Sequence, residues 1–477
     1  MQRIPKTLKY FLFALGGLAG IVLLAGLALM CFVDLDAYKP RVEAMASSAM
    51  GKTVTIEGRL GIGVMPGLHI TLENVRIRNR GTELAFVKEV DLAVELLPLF
   101  RQEIRYGNIA TRGVRLSIER DRDGHYNYER PEGVKPVFHV LDLPKVSFAN
   151  LIVAYQDQLS GSGFESAACN GELIDMRHPG DAPFLKRLSL SGQFACGDLH
   201  GQKTIVSDFK FSIAATDGVF DFKPVTMRVF GGNGTGTMRM DRSAEVPTLH
   251  LSYTLSKFRI EEYLKAQSSN KSLTGLMDFS TTLSARGRTR LETRQSASGD
   301  MSLSGTSLTL GGVDLDKELS RFVSSQHFNL FDLGALLFAG PVGLVVTKGV
   351  ELSTLAQQTG GSTPIRTVVS RWKVEKGVAH AADVALATGE NRLALHGSLD
   401  FVNDEFQDVV VALIDANGCA RLRQKIGGPF SKPAVDKTGI LVPVGPFLNL
   451  LDKAKTLITG KDTQCERFYN GSVKAPK

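Results

Sequence analysis

Two aspartates, Asp121 and Asp123, begin a segment whose spacing resembles that of a calcium-binding loop. Glu132 stands twelfth from Asp121, where such a loop carries its bidentate carboxylate. The middle of the segment does not fit, because Tyr126 occupies the position that requires glycine for a sharp turn, and His125 occupies a ligand position. The residues therefore favour a hairpin turn over a metal site.

The glycine-rich segment 231–236 superficially resembles a phosphate-binding loop. Such a loop ends in Lys followed by Ser or Thr, and it opens a helix. No such pair follows here, and the segment lies between two predicted strands, 225–229 and 237–240. We therefore interpret it as a flexible or bulged hairpin.

The sequence contains no motif for hydrolytic catalysis. The nine histidines are scattered, with no H-E-x-x-H motif and no other close pair. No G-x-S-x-G motif is present to expose a serine nucleophile. The sequence therefore predicts a protein that is not an enzyme, with no cofactor and no metal.

The cysteines indicate an oxidising compartment. Apart from Cys31 there are four, and an even number spread thinly along a chain is typical of disulfides. Pairing Cys169 with Cys196 and Cys419 with Cys465 closes the shorter loops, although sequence does not fix connectivity. Zinc binding is the weaker alternative, because no C-x-x-C motif occurs.

An apolar run near the N-terminus has the length of a membrane span. The 23 residues 11–33 carry no charge, and about 20 apolar residues cross a hydrocarbon core as a helix. Arg3, Lys6 and Lys9 precede the run, so the positive-inside rule predicts a cytoplasmic N-terminus with the rest of the chain on the outer side. A cleaved signal peptide is the weaker alternative, because the run exceeds the usual apolar region and no A-x-A-like site lies at its end.

The composition indicates a large body rich in short strands. Of 477 residues, 43% are hydrophobic and 22% charged, while 48 glycines and a single tryptophan favour strands and turns over packed helices. The net charge of +7 is mild, and the basic residues are interspersed with 49 acidic ones. This pattern argues against nucleic acid as a partner and permits attraction to anionic lipid head groups.

Alternation of apolar and polar residues dominates from Thr53 onward. This period-2 pattern is typical of antiparallel strands with one apolar and one polar face. Candidates to line an apolar groove are Val90, Leu92, Val94, Leu116, Ile118, Phe209, Phe211, Ile213, Leu249, Leu251 and Tyr253. Four glycines each follow a leucine by two residues: Gly192, Gly275, Gly305 and Gly397. They predict bends that would curve the sheet, and ordinary hairpin turns are the alternative.

Few helices are predicted. A short helix after the apolar run has Asp36 as its cap and Gly51 at its end, and we interpret it as a linker that packs on the first strands, in preference to a helix on the membrane surface. Its predicted packing side comprises Tyr38, Val42, Met45 and Ala49. Shorter candidates are 257–266 and 316–324, and 447–459 is a clearer amphipathic helix.

Several segments together resemble a known family. They are the anchor followed by 34–77, the turn DGHYNYE at 123–129, the glycine hairpin VFGGNGTGTMRMD at 229–241, and LTGLMDFSTTLSARG with LGGVDLDKEL at 273–287 and 310–319. In order and spacing they resemble the AsmA family of Gram-negative envelope proteins. The resemblance implies an inner-membrane anchor and a periplasmic body similar to the bridge-like lipid transfer proteins of eukaryotes. It brings no catalytic residues.

The resemblance also suggests how the chain is divided. We expect a cytoplasmic stub and transmembrane helix at 1–33, an AsmA-like N-terminal module at 34–180, an AsmA-like β-rich region at 181–430, and a C-terminal helix and tail at 431–477. The expected fold is mainly β with few helices: an N-terminal transmembrane helix followed by an elongated, curved antiparallel β-sheet that forms an apolar groove. Alternation alone fits a compact β-sandwich equally well, and the resemblance favours the groove.

The expected function is periplasmic lipid transfer or carriage that supports outer-membrane biogenesis. The expected location is the inner membrane, with a single pass and the bulk of the chain in the periplasm. Membrane phospholipids are the expected partners. Proteins of the outer or inner membrane are possible further partners. The alternative is a periplasmic scaffold or assembly factor for outer-membrane proteins that holds no lipid.

Overall fold

The computed structural model of the chain describes residues 35–63, 67–79, 81–94, 106–129, 141–180, 183–201, 203–267, 273–317, 319, 360–435 and 467–476. The predicted transmembrane segment and the predicted helix 447–459 lie outside these residues. Among the helices that are described, none is long and apolar enough to cross a membrane. The chain forms two compact units: Met1–Phe184 with Leu188–Gln202, and Leu185–Arg187 with Lys203–Lys477.

The first unit is mainly β, as predicted. Its elements are a 3₁₀ turn (Leu35–Tyr38), α1 (Lys39–Met50), β1 (Thr53–Ile56), β2 (Leu60–Gly63), β3 (His69–Asn79), β4 (Thr82–Val94), β5 (Tyr106–Arg120), β6 (Leu141–Asp157), β7 (Gly163–Ser166), β8 (Cys169–His178), β9 (Ser189–Cys196) and β10 (Asp198–Gly201). A one-turn helix, α2 (Phe184–Arg187), precedes β9. Strands β1 and β2 pair with β3, and the sheet continues through β4, β5, β6, β8 and β9.

Strands β5 and β6 run parallel, which the prediction of a wholly antiparallel sheet missed. After β5 the chain folds back on that strand in the predicted hairpin turn, with an antiparallel β-bridge between Arg120 and Tyr126. The side-chain amide of Asn79, at the end of β3, donates to the carbonyls of Asn127 (2.6 Å) and Glu129 (2.7 Å). The turn is therefore fixed at this end, and the connection to β6 is long enough for a parallel crossover.

Helix α1 ends as predicted and begins later than predicted. Gly51 adopts φ 63° and caps its C-terminus. Tyr38 occupies the N-cap without a side-chain cap. The Asp36 carboxylate instead lies 3.0 Å from Lys39 Nζ and accepts from the Leu60 N–H (3.2 Å). The hydrogen bond from Lys39, followed by that from Leu60, lowers the pKa of Asp36. Asp36 therefore holds strand β2 and does not cap the helix.

The second unit is also mainly β. Its elements are β11 (Ile205–Thr216), β12 (Val219–Val229), β13 (Gly232–Asp241), β14 (Thr248–Arg259), α3 (Ile260–Gln267), β15 (Leu273–Thr274), β16 (Leu276–Arg286), α4 (Arg290–Ser296), β17 (Ser298–Gly311), β18 (Ser362–Glu375), β19 (Val378–Ala387), β20 (Arg392–Asp400), β21 (Glu405–Ile414), β22 (Ala420–Pro429) and β23 (Ala434–Val435). The described strands of this unit pair antiparallel, mostly with their neighbours in the chain. Helix α3 confirms most of the predicted helix 257–266.

Glycine shapes the second unit at particular points. Phe230 (φ 52°) and Gly231 (φ 71°) form the two-residue turn between β12 and β13, which confirms that a hairpin lies here. The predicted flexible or bulged segment is wrong from Gly232 onward, because β13 begins there in regular register with β12. Gly397 (φ 116°) lies at a register shift in β20, and Gly275 (φ 130°) separates β15 from β16. The bend prediction holds at these two glycines. It is wrong at Gly192 and Gly305, which lie in regular ladders.

The packed core of the second unit lies under β17–β22. Leu386, Leu393 and Val409 are fully buried there, as part of a cluster that extends to Leu255 and Phe279. The opposite face of the same strands is also covered, since Ala385 and Ala394 pack with Tyr469 and Val473 of the C-terminal tail. Part of the predicted tail thus lies against the sheet.

Candidate functional site

One face of the second unit is lined by apolar side chains of β11–β17, and we call it the unit 2 apolar face. Strand register aligns these residues in rows that cross the strands, because paired residues point to the same face. The row through Leu251 is Ile213, Phe222, Met238, Leu251, Leu283 and Gly299. The two flanking rows are Phe211, Val225, Gly236, Tyr253, Thr281 and Met301, and Ala215, Phe220, Met240, Leu249 and Ala285. A cavity of about 380 Å³ is lined in part by the row through Leu251.

The structure brings most of the predicted residues of this unit together. Phe211, Ile213, Leu249, Leu251 and Tyr253 all lie in these three rows. Phe209 lies in a register shift of β11, outside the ladder, and its ring centroid is 5.5 Å from that of Phe211. Residues of the same face that the prediction missed are Phe220, Phe222, Met238, Met240 and Leu283. They alternate with polar neighbours as strongly as the residues that were named, so the same pattern could have found them.

Tyr253 marks the boundary between the open and the packed part of this face. A Cβ atom on Gly234 would lie 2.3 Å from the Tyr253 hydroxyl, so the ring rests on the backbone of β13 where glycine leaves room. Burial raises the pKa of Tyr253. The next row contains Leu255 and Phe279, which are only 6% and 7% exposed. The open part of the apolar face therefore ends at Tyr253.

The opposite face of the same strands is polar. Arg239 Nη1 lies 2.6 Å from Asp221 Oδ2 across β12 and β13, and His250 Nδ1 lies 2.8 Å from Ser284 Oγ across β14 and β16. Lys210 and His250 are exposed. These strands are therefore amphipathic across their full width, as the alternation predicts.

The first unit carries a corresponding face, which we call the unit 1 apolar face. One of its rows is Ile70, Leu92, Ile109, Val146, Leu173 and Gly192. The predicted residue Val90 packs against a buried cluster formed by Val54, Ile56, Val75, Val87 and Val114. Leu116 pairs with Ala85 and Val153, Ile118 pairs with Tyr155, and Val94 pairs with Tyr106.

The predicted residues are less buried than the packed cores beside them, although Tyr253 and Leu283 contact the core cluster of the second unit and Phe220 of a flanking row is buried. All eleven predicted residues of the two faces are half-buried, neither enclosed nor fully exposed. Residues such as Leu393 and Val409 in the second unit are 0% exposed. Half-burial of large apolar side chains over several adjacent strands is the pattern of a surface that can take up an apolar ligand.

The structure contains the first predicted disulfide. Cys169 in β8 and Cys196 in β9 are paired in register, with their Cα atoms 4.0 Å apart, and they are bonded. Cys419 is also disulfide-bonded. Its predicted partner Cys465 lies outside the described residues. Arg467, two residues after Cys465, pairs with Cys419 through backbone hydrogen bonds in an isolated β-bridge. This arrangement agrees with the predicted second pair.

The acidic turn after β5 is structural. Asp121 Oδ1 accepts from the backbone N–H groups of Asp123 (3.0 Å) and His125 (2.8 Å), which uses the carboxylate within its own turn. In the part of the chain that the structure describes, no group of three or more His, Cys, Asp or Glu residues could hold a metal ion.

The fold and the site define a class of β-sheet protein in which amphipathic sheets present half-buried apolar faces. The model of the AsmA family matches residues 4–131 and 188–384, which is more than half of the chain. The chain belongs to the AsmA family. Comparison with curated proteins finds no match. Membership of this family is consistent with a role in outer-membrane biogenesis or lipid transport, and the family is not known as an enzyme family.

Proposed function

We propose that the protein carries phospholipid in the periplasm by holding acyl chains on its apolar faces, in support of outer-membrane biogenesis. The observation that carries this proposal is the row through Leu251, in which apolar side chains on successive strands are aligned and half-buried. The polar face behind it keeps the same strands soluble. Membership of the AsmA family supports the same role.

The energetics favour such a surface. An acyl chain in water costs about 0.8 kcal/mol for each exposed CH₂, so a continuous apolar row would remove much of the barrier to moving a lipid. The row through Leu251 crosses β11, β12, β13, β14, β16 and β17. At about 4.8 Å per strand it is about 24 Å long. One leaflet of a hydrocarbon core is about 15 Å thick, so the row accommodates an acyl chain along its length.

Site-specific photo-crosslinking tests the proposal. A photoreactive residue placed at Leu251 or Leu116 should capture phospholipid in cells, as detected by mass spectrometry of the purified adduct. The matched controls are His250 and Arg115, which neighbour these positions in β14 and β5 and are exposed. Lipid on the apolar positions alone supports the proposal. Protein adducts at the apolar positions, without lipid, would favour a scaffold for outer-membrane proteins.

The proposed location has its own test. We propose a single-pass inner-membrane anchor at 11–33 with the body in the periplasm, on the basis of the uncharged run and the basic residues before it. Alkaline phosphatase fused after Ala49 should be active, and the same enzyme fused after Lys6 should be inactive. Activity at Lys6 alone would mean the opposite orientation.

A further inference from the structure

Helix α1 presents an outward face that is apolar and exposed. Tyr38, at its N-cap, is 54% exposed and Met45 is 60% exposed. Arg41 is exposed on the same side, one turn after Tyr38 and one turn before Met45. An aromatic residue, a flexible apolar residue and a guanidinium on one helix face form the combination that suits the interface of a bilayer.

The inward side of α1 is fixed to the sheet. Val42 and Ala46 pack against the buried cluster of the first unit. The Glu43 carboxylate accepts from the Ile56 N–H (2.6 Å), and Ser47 Oγ accepts from the Val54 N–H (2.9 Å). Because these contacts hold the rotation of the helix about its own axis, Tyr38 and Met45 cannot turn inward to bury themselves.

The short distance along the chain from the predicted membrane span to α1 determines what this face meets. The 3₁₀ turn before α1 begins at Leu35, two residues after the last residue of the predicted membrane span. A trans peptide advances the chain by at most about 3.6 Å per residue, so Leu35 lies within about 8 Å of the end of that span. The 3₁₀ turn rises about 2 Å per residue, so α1, which begins at Lys39, starts within about 16 Å of that end. The outward face of α1 is then within reach of the lipid head groups.

We infer that the outward face of α1, formed by Tyr38, Arg41 and Met45, lies on the surface of the bilayer that holds the anchor. Tyr38 and Met45 enter the interfacial layer, and Arg41 pairs with lipid phosphate groups. The contact fixes the edge of the first unit's sheet against the membrane, at the place where a lipid would enter the unit 1 apolar face. This inference rests on the anchor in the proposed function.

Fluorescence quenching in the full-length protein tests the inference. Met45→Trp is placed in nanodiscs of phosphatidylethanolamine and phosphatidylglycerol, with and without lipids brominated near the glycerol. The added tryptophan should emit at shorter wavelength and lose most of its intensity with brominated lipid. The native Trp372 is 2% exposed and supplies a constant background.

Met50→Trp is the matched control. Met50 is 48% exposed and belongs to the same helix, but about 100° of rotation per residue turns it about 140° away from Met45. Its emission should be nearly unchanged by brominated lipid. Equal quenching at both positions, or none at Met45, would overturn the inference. This measurement does not depend on lipid capture at Leu251. Quenching at Met45 without lipid capture at Leu251 would support the membrane contact of α1 and contradict the proposed lipid-holding face.

Discussion

The Glu43 carboxylate of α1 accepts a hydrogen bond from the backbone N–H of Ile56 in β1, with 2.6 Å between the two heavy atoms. Ser47 does the same for Val54, and Asp36 for Leu60 in β2. These three amides would otherwise point outward from the edge of the sheet. An unpaired edge is a template for pairing with another chain, so α1 and the 3₁₀ turn before it close the edge of the first unit with side-chain acceptors.

Glu43→Ala should therefore loosen this edge. Loss of the one hydrogen bond that the charged Glu43 carboxylate accepts should lower the free energy of unfolding by about 1–2 kcal/mol. Amide hydrogen exchange should show faster exchange at Ile56. Glu43→Gln keeps an acceptor at the same place and should retain most of the protection. Unchanged exchange at Ile56 in Glu43→Ala would mean that the carboxylate does not hold the strand.

The same contact explains why the packing side of α1 was predicted only in part. Val42 packs on the first unit's cluster as predicted, together with Ala46, both partly buried, whereas the predicted residues Tyr38 and Met45 are exposed. The helix is turned so that Glu43 reaches an edge amide. Hydrophobic periodicity contains no information about which strand amides lack a partner, so the sequence alone could not place this side.

The disulfide between Cys169 and Cys196 should stabilise the first unit. It closes a sequence separation of 27 residues. A loop of this size corresponds to about 2–4 kcal/mol through restriction of the unfolded chain. The double variant Cys169→Ser and Cys196→Ser should have a free energy of unfolding lower by that amount, which is measured as a lower denaturant midpoint. An unchanged midpoint, or peptide mapping that joins Cys169 to another cysteine, would contradict the assignment.

Asp400 should make the second unit sensitive to acid. Its carboxylate accepts from the backbone N–H groups of Val402 (2.8 Å) and Asn403 (3.0 Å), and from the side chains of Asn403 and Gln407 (both 2.8 Å). Burial acts to raise the pKa of Asp400, but the hydrogen bonds from Asn403 and Val402 outweigh it and hold the pKa below its ordinary value.

A lowered pKa in the folded state fixes the sign of this effect. The stabilisation is present above the unfolded-state pKa of about 4, and it is lost as the pH falls through the folded-state pKa. Asp400→Asn should be less stable by about 1–3 kcal/mol at pH 7, because an amide places donors against donors. The variant should also lose less stability than the wild type between pH 5 and pH 3 in a denaturant titration. An equal loss in both proteins would assign acid sensitivity to other carboxylates.

The sequence predicted which face of a strand each residue occupies better than it predicted how the strands pair. Period-2 alternation identified β14 and placed Leu249, Leu251 and Tyr253 on one face, because each polar neighbour excludes the alternative side. The same alternation was available for Phe222 and Met238. The parallel pairing of β5 with β6 follows a turn that Asn79 contacts from the end of β3, and this tertiary contact has no local signal in the sequence. The tail contact of Tyr469 is long-range in the same way.

The C-terminal tail should be held to the sheet by Tyr469. Its hydroxyl donates to Asp383 and accepts from the Val473 N–H (3.0 Å), while Arg392 Nη1 donates to the Val473 carbonyl (2.9 Å). Tyr469→Phe removes the first two bonds and should release residues 467–476 to limited proteolysis, with a loss of about 1–3 kcal/mol. Ser472→Ala removes one hydroxyl donor to Asp383 and should have a smaller effect. Equal protection of the tail in Tyr469→Phe and wild type would show that the hydroxyl is dispensable.

Leu251→Asp and Leu393→Asp distinguish an open apolar face from a packed core by the same substitution at two leucines of one unit. Leu251 is half-buried in its row, whereas Leu393 is 0% exposed. A carboxylate at 251 can remain hydrated, so the free energy of unfolding should change by less than about 1 kcal/mol, while an unpaired charge at 393 should cost several kcal/mol and prevent folding. Lipid capture is read from a photoreactive residue at Leu283, the cross-strand partner of Leu251. The amount of lipid crosslinked at position 283 should fall several-fold in folded Leu251→Asp protein, because contact with an acyl chain would remove water from the new carboxylate. Destabilisation of Leu251→Asp as severe as that of Leu393→Asp would make this row part of a core, and unchanged capture in the folded variant would remove it from the lipid path.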